Sequence, residues 1–279
     1  MPTLLRSWNL FHGNAATPEG AVAATGLLEE MVRLIAGPGP SIKAPAIVCL
    51  QEVPPAALPR LEAWSGMAAY GVVARTPSLG PLPLPTGLAA RLTALGPARL
   101  RSAFSGQANA VLLRHDLAVL GQETLPLNPA QFVAATARLL DLDPLAQLAW
   151  AKEPRVAHAL RLRLPDGRSL ALVHTHATSF PSDPSVPDAE VARAARWLNE
   201  VAAGVDLAVL AGDLNVPPHA SPSLQALGSS GFSPPAPWID QILVRGAAVL
   251  EPPVTWPAEA RTRNGLLLSD HAPVEVTIE

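Results

Sequence analysis

Cysteine is almost missing from this sequence. Cys49 is the only one in 279 residues, so no disulfide can form within the chain. Lysine is reduced to Lys43 and Lys152, and tyrosine to Tyr70. No uninterrupted apolar run reaches the roughly 18 residues of a membrane span. The opening MPTLLRSWNLFHG runs at once into strand-like sequence. It has no charged head, apolar stretch and small-residue cleavage site of the kind that marks a signal peptide. Together these absences lead us to expect a cytoplasmic protein. GxSxG is absent, which removes the nucleophile elbow of a serine hydrolase. No HExxH follows the HTH of residues 174–176, which weakens a zinc reading. No segment marks a protein partner.

An excess of positive charge is also lacking. There are 20 basic and 23 acidic residues, for a net charge of −3. A protein that grips many backbone phosphates usually carries a basic footprint, and the whole-chain balance shows none. The distribution is uneven, however. No acidic residue lies between Glu62 and Asp116, while Arg75, Arg91, Arg99, Arg101 and Arg114 do. Two readings stay open: a local positive surface holding phosphate, or a solvated loop with scattered arginines. Residues 76–107 are the least regular part, with PSLGPLPLP and a short helical piece near 87–95. A long loop in a compact domain is usually functional or disordered. We expect this one to border an active site.

What the chain has is apolar residues, 49% of the total, enough for a large core. Short runs rich in β-formers read as buried strands: residues 3–10, 46–50, 110–113, 117–120, 156–164, 170–174, 207–210, 239–244 and 274–278. Helical patterns cover 18–35, with Thr17 as cap and Pro18 at the first helical position. They also cover 129–150, broken near Pro144, and 187–203, with Val191, Ala195, Leu198 and Ala202 on one stripe. Strands spread along the chain with helices between them predict a layered α/β fold. There is no internal repeat and no dividing linker, so we expect a single domain over 1–279.

Polar residues recur where the apolar runs end. Asn9 follows the first, Glu52 follows AIVCLQ, and His174 and His176 follow LALV. Asp213 and Asn215 follow LAVLAG, Asp240 lies in WIDQILV, and Asp270 and His271 precede PVEVTI. A carboxylate beside such a run is costly unless paired, hydrogen-bonded or metal-bound. The repetition therefore predicts a site assembled at the rim of a sheet. Carboxylate oxygens are hard ligands suited to Mg²⁺ or Mn²⁺. Metal, carboxylate, amide and imidazole together meet the needs of phosphoester hydrolysis.

The motifs SWNLFHG, CLQEV, VHTHA, LAGDLNVPP, IDQILV and LSDHAPV, in this order, resemble those of the endonuclease/exonuclease/phosphatase superfamily. Each is weak alone; six in order along nearly the whole chain are not. The resemblance implies an α/β (α+β) four-layer αββα sandwich, two packed, mostly antiparallel mixed sheets under outer helices. It implies a Mg²⁺- or Mn²⁺-dependent hydrolase acting on a phosphate ester. Nucleotide-like or nucleic-acid substrates and lipid headgroups are all within the family's range. Glu52 resembles the main metal-binding carboxylate, Asp270 a second one, and Asn9 an amide beside metal or phosphate. Asp213 resembles the group that orients or deprotonates water, with Asn215 pointing the same way from an extended segment. His271 and His176 resemble imidazoles on the phosphate, with Asp240 orienting His271.

The sequence departs from the pattern at Ala177, where leucine is usual, and at His174, where asparagine is usual. His174 is either a substrate contact or a hydrogen-bonded histidine at a strand end. His12, three residues after Asn9, is a substrate candidate in the adjoining loop, and Arg99 and Arg101 are candidates in the acid-free stretch. His115, His158 and His219 read as ordinary surface or loop histidines. Cys49, inside AIVCL, reads as a buried inert thiol. Trp8, Phe11, Trp238 and Trp256 lie near the motifs, where core packing competes with stacking on a ring. A general DNA or RNA nuclease and a catalytically inactive phosphate-ligand or protein-binding module on the same fold are the alternatives.

Overall fold

The computed structural model describes residues 2–24, 26–76, 78–79, 82–83 and 106–279. Most of the expected loop 76–107 therefore lies outside the described residues, and so do Arg99 and Arg101. The chain divides into two compact units. One comprises Pro2–His115 and Pro253–Ile278; the other is Asp116–Pro252 with Glu279.

The first unit is built on a mixed sheet. Its strands are β1 (Thr3–Asn9), β4 (Ile47–Val53), β5 (Ala68–Arg75), β8 (Gln107–Leu113), β14 (Val254–Thr255) and β17 (Val274–Ile278), in the order β14-β17-β1-β4-β8-β5. Only β1 and β4 run parallel. Between them come the hairpin β2 (Asn14–Thr17) and β3 (Gly20–Ala23) and helix α1 (Leu27–Ala36). A parallel pair needs such a crossover. The small strands β15 (Thr262–Arg263) and β16 (Leu266–Leu268) extend the hairpin, β16 pairing with β2. Helix α2 (Leu61–Ser65) follows β4, and β6 (Ser78–Leu79) pairs with β7 (Leu82–Pro83). Leu27, Met31, Val32 and Ile35 of α1 pack with Trp8, Val48, Leu50 and Trp256 into one core. Period-3.6 spacing on the helix meets period-2 spacing on the strands.

The helix expected over 18–35 starts late. Residues 14–23 form a tight hairpin, in which Thr17 pairs with Gly20 and its hydroxyl donates to the Gly20 carbonyl. Pro18 and Glu19 make the turn, where the fixed φ of proline is as useful as at a helix start. Helical structure sets in only at Leu27.

The second unit carries the sheet β13-β12-β11-β10-β9, from β9 (Ala118–Pro126), β10 (Val156–Arg163), β11 (Ser169–His176), β12 (Leu207–Asp213) and β13 (Asp240–Arg245). Again one pair is parallel, β11 with β12. Helix α5 (Ser185–Val201) makes the crossover and packs Val191, Ala194 and Leu198 on Ala171, Val173, Ala208 and Leu210. The expected break near Pro144 separates α3 (Ala130–Leu139) from α4 (Pro144–Ala151). Asp143 caps α4 by accepting from the N–H groups of Leu145 and Ala146. Helix α6 (Pro222–Ser229) follows, capped by Ser221. No helix among the described residues is long and apolar enough to cross a membrane.

One buried cation organises the first unit. The Arg6 guanidinium, fully buried on β1, meets the Glu275 carboxylate at 3.0 Å from the paired position on β17. It also donates to the carbonyls of Ile35, Gly37, Pro38 and Lys43, which follow from the end of α1. It stacks over the Trp256 ring at 4.8 Å, whose indole N–H donates to Glu275. Burial pushes the Arg6 pKa down and Glu275 opposes this. Breaking such a pair leaves an uncompensated buried charge. Glu275→Ala should therefore lower the unfolding free energy by about 3–5 kcal/mol in denaturant titration. A loss below about 1 kcal/mol would show that backbone carbonyls alone satisfy Arg6.

Candidate functional site

The candidate residues gather into two clusters, one in each unit. Both clusters lie at the carboxyl ends of the parallel strands, the edge where open α/β sheets place their ligands.

In the first unit Asn9 ends β1 and Glu52 lies near the end of β4. The β4–β8 ladder shifts register between Leu50 and Val53, and Glu52 takes φ 53° there. Such a bulge re-aims a side chain at the edge of a sheet. The Asn9 amide donates to Glu52 Oε1 at 3.2 Å, and its Oδ1 accepts the Phe11 N–H at 2.9 Å. Asn9 is thus the residue that holds Glu52. His12 Nε2 stands 3.2 Å from Glu52 Oε2, which brings the loop histidine into the cluster. Phe11, His12 and Gly13 are all left-handed, with φ of 48°, 53° and 79°, a tight loop that turns His12 back on the carboxylate.

Ser269, which our sequence reading did not single out, ties the SDH segment to this cluster. Its N–H donates to the Asn14 carbonyl, continuing the β2–β16 ladder. Its hydroxyl donates to the Asn9 carbonyl at 2.7 Å and accepts the His271 N–H at 3.1 Å. The indole of Trp8 donates to the His271 carbonyl at 2.9 Å. Arg261 holds the carbonyls of Leu268 and Ser269 at 3.1 and 2.9 Å. Its own pKa is lowered by burial, against the attraction of Asp270. Shielding from water pushes the Asp270 carboxyl above the usual range, the nearby Glu52 adds to this, and His271 opposes it. The only signal for Ser269 in the sequence was its place in LSDH.

In the second unit the ladder does the assembly. Register places His176 of β11, Asp213 of β12 and Asp240 of β13 in one row, all buried. His176 Nε2 lies 3.5 Å from Asp213 Oδ2. Asp213 accepts the Asn215 N–H at 3.0 Å, and the Asn215 amide donates to the Ala177 carbonyl at 3.0 Å. Asn215 is not in an extended segment, as expected, but in a left-handed turn with φ 50°. Its backbone, and not a parallel side chain, steadies Asp213, as Asx turns do. Gly212 also has positive φ, and a Cβ there would collide with the Thr175 carbonyl of the neighbouring strand. The AGD spelling is thus a steric need of β12 as much as a chemical one.

His174 lies two positions before His176 on β11, fully buried. It faces His158 across the β10–β11 ladder. His158 is not the surface histidine expected: it has no exposure, and its Nε2 lies 2.9 Å from the Gln122 amide nitrogen. The tracts flanking it, VAHALRL, alternate so that His158 falls on a buried face. Burial lowers the His158 pKa to about 4. Burial also drives His174 well below its usual value, with His158 adding to it. Arg155 and Glu190, both buried, were not read from sequence either. Glu190 accepts the N–H and hydroxyl of Thr178 and the Trp150 indole N–H, and burial pushes its carboxyl up. Trp8 and Trp256 are core residues and Cys49 is buried, its thiol pushed up by burial, while Trp238 is exposed.

The model of the Endonuclease/Exonuclease/phosphatase family matches residues 7–271. The chain belongs to that family. A search of curated proteins finds no match. Among solved structures, a functionally unknown conserved protein from Enterococcus faecalis V583 is similar at 15% identity and TM-score 0.64, over 99% of each chain. An endonuclease/exonuclease/phosphatase from Beutenbergia cavernae DSM 12333 is similar at 17% identity and TM-score 0.63, over 100% of this chain and 71% of that one. TDP2 from Caenorhabditis elegans is similar at 16% identity and TM-score 0.58, over 100% and 74%. At these identities the likeness shows the fold, and it is the α/β fold that the motifs led us to expect.

The histidine pair has a measurable consequence. His158 is neutral when folded down to about pH 4, whereas an unfolded histidine takes up a proton near pH 6.5. Between these values the unfolded state binds more protons, so stability falls as pH drops. The His158 contribution is about 3 kcal/mol at full effect, and His174 acts in the same direction. In urea titrations from pH 7 to pH 4, His158→Gln should show a shallower loss than the parent. Equal slopes would remove His158 as the cause.

Proposed function

We propose that this protein hydrolyses a phosphate ester with the help of Mg²⁺ or Mn²⁺, and that its substrate is a small or single-stranded phosphodiester. The observation that carries the reading is the oxygen-rich cluster of Glu52 and Asp270, held by Asn9 and Ser269, in a chain of this family. Glu52 adds to the cost of ionising the buried Asp270, and a hard cation is what offsets such a pair. The residues fit the group: Glu52 and Asp270 offer carboxylate oxygens, and Asn9 holds Glu52 in place. When bound, the ion would neutralise charge on the phosphoryl oxygens.

The protein groups divide the remaining work. Asp213, fixed by the Asn215 N–H, takes the proton of the attacking water. His176 and His271 contact phosphoryl oxygens. Asp240 stands next to Asp213 in the same row. The family model runs across both clusters, and this supports assigning them to one reaction and the whole of 1–279 to one functional domain. The substrate argument is electrostatic. A net charge of −3 suits one or two phosphates better than the dense charge of a duplex, whose binding needs many cationic contacts.

Activity on a chromogenic diester should require Mg²⁺ or Mn²⁺ and vanish in EDTA. Full turnover in EDTA would sink the metal-dependent reading, and no turnover with any phosphate ester would favour a binding module. Asp213→Ala and His271→Ala should each lower kcat by on the order of a hundredfold with the fold intact. His174→Ala should be milder than His176→Ala, and the reverse order would displace His176 from its role. Efficient plasmid nicking that persists at physiological salt would make the protein a general nuclease instead.

A further inference from the structure

Arg155 is buried just before β10, and its Nη1 lies 3.0 Å from Nδ1 of His176. A guanidinium carries five N–H donors and no acceptor, and it does not lose its proton in a protein. The ring nitrogen facing it must therefore present a lone pair. We propose that Arg155 is a positioning residue that holds His176 as the neutral tautomer with its proton on Nε2, so that His176 meets the phosphoester as a hydrogen-bond donor. This rests on the reading of His176 as a phosphate-side group given above.

The arrangement is the reverse of the usual one. A functional histidine commonly donates its far N–H to a carboxylate or carbonyl, which favours the charged ring. Here the far partner is a cation that only donates. The consequence falls on Asp213, whose Oδ2 is 3.5 Å from His176 Nε2. An imidazolium at that distance would stabilise the ionised carboxylate and weaken it as a base. A neutral ring supplies a donor without that penalty.

Both partners are locked in place. Asn128 Oδ1 accepts the Arg155 N–H at 2.7 Å, and its amide donates to the carbonyls of Trp150 and Glu153. Arg155 Nη2 meets the Glu153 carboxylate at 2.9 Å. Trp150 and Thr178, the latter two residues past His176, both donate to Glu190 on α5. One network, buried except at Glu153, thus ties together the segments that carry the guanidinium and the ring.

The test is a long-range ¹⁵N–¹H spectrum of the full chain at neutral pH, with His176 assigned by the loss of its signals in His176→Gln. We expect Nδ1 to be bare and Nε2 protonated. In Arg155→Met the tautomers should mix or shift to Nδ1–H, and kcat should fall on the order of tenfold, with KM changed less. A parent spectrum showing Nδ1–H or imidazolium overturns the proposal, and needs no variant to fold. An unchanged tautomer in Arg155→Met, or unchanged kcat despite a changed one, also overturns it. If the protein hydrolyses no phosphate ester, the function above fails while the spectrum still decides what Arg155 does.

Discussion

Strand direction is the constraint from which both clusters follow. Each of the two larger sheets is mostly antiparallel but contains one parallel pair, β1 with β4 and β11 with β12. Parallel neighbours end on the same side, and the crossover leaves that edge uncovered by the chain's own hairpins. Asn9 and Glu52 therefore finish side by side, as do His176 and Asp213. The antiparallel β13 enters from the same edge and adds Asp240 to the row. Because side chains alternate with a period of two, a slip of one residue would turn every one of these groups to the opposite face. The apolar residues that alternate with them make that slip expensive.

The edge is not made of regular structure alone. Of the non-glycine residues with positive φ among those described, Phe11, His12, Glu52, Asn215 and Ser269 all belong to the two clusters. Each such conformation costs about 1–3 kcal/mol and persists only where the surroundings over-determine it. The surroundings here are specific hydrogen bonds: Asn9 to Phe11 and Glu52, Ser269 to Asn9 and His271, and Asn215 to Asp213 and Ala177. Each unit also holds buried polar groups with several partners, Arg6 with Glu275 in one and Glu190 with Thr178 and Trp150 in the other. Removal of such partners leaves desolvated polar groups, so the frame resists rearrangement more than its apolar contacts alone would require.

Strands, their order along the chain and the polar residues at their ends were legible in the sequence, because β-formers and alternation are local signals. So were the break at Pro144 and the helix between β11 and β12. Other features were not. Thr17–Pro18 fits a helix start and a hairpin turn equally well, and the pairing of β2 with both β3 and β16 is not a local signal. His158 looks like any histidine until β9 and β11 cover it. Arg155 precedes a strand by one residue, and nothing local says that its side chain will lie against a ring twenty-one positions away.

By itself the sequence determined which groups are available to this protein: hard oxygen donors, imidazoles and an amide at the ends of apolar runs, with one cysteine and little net charge. The tertiary structure decided how they are presented. It made Asn9 the holder of Glu52, converted Asn215 from a side-chain partner into a backbone one, recruited Ser269, and set a guanidinium behind His176. The physical reason is that residue type and period are properties of neighbours along the chain. Hydrogen-bond geometry, desolvation and the tautomer of a ring depend on neighbours in space, and ladder register and crossovers choose those.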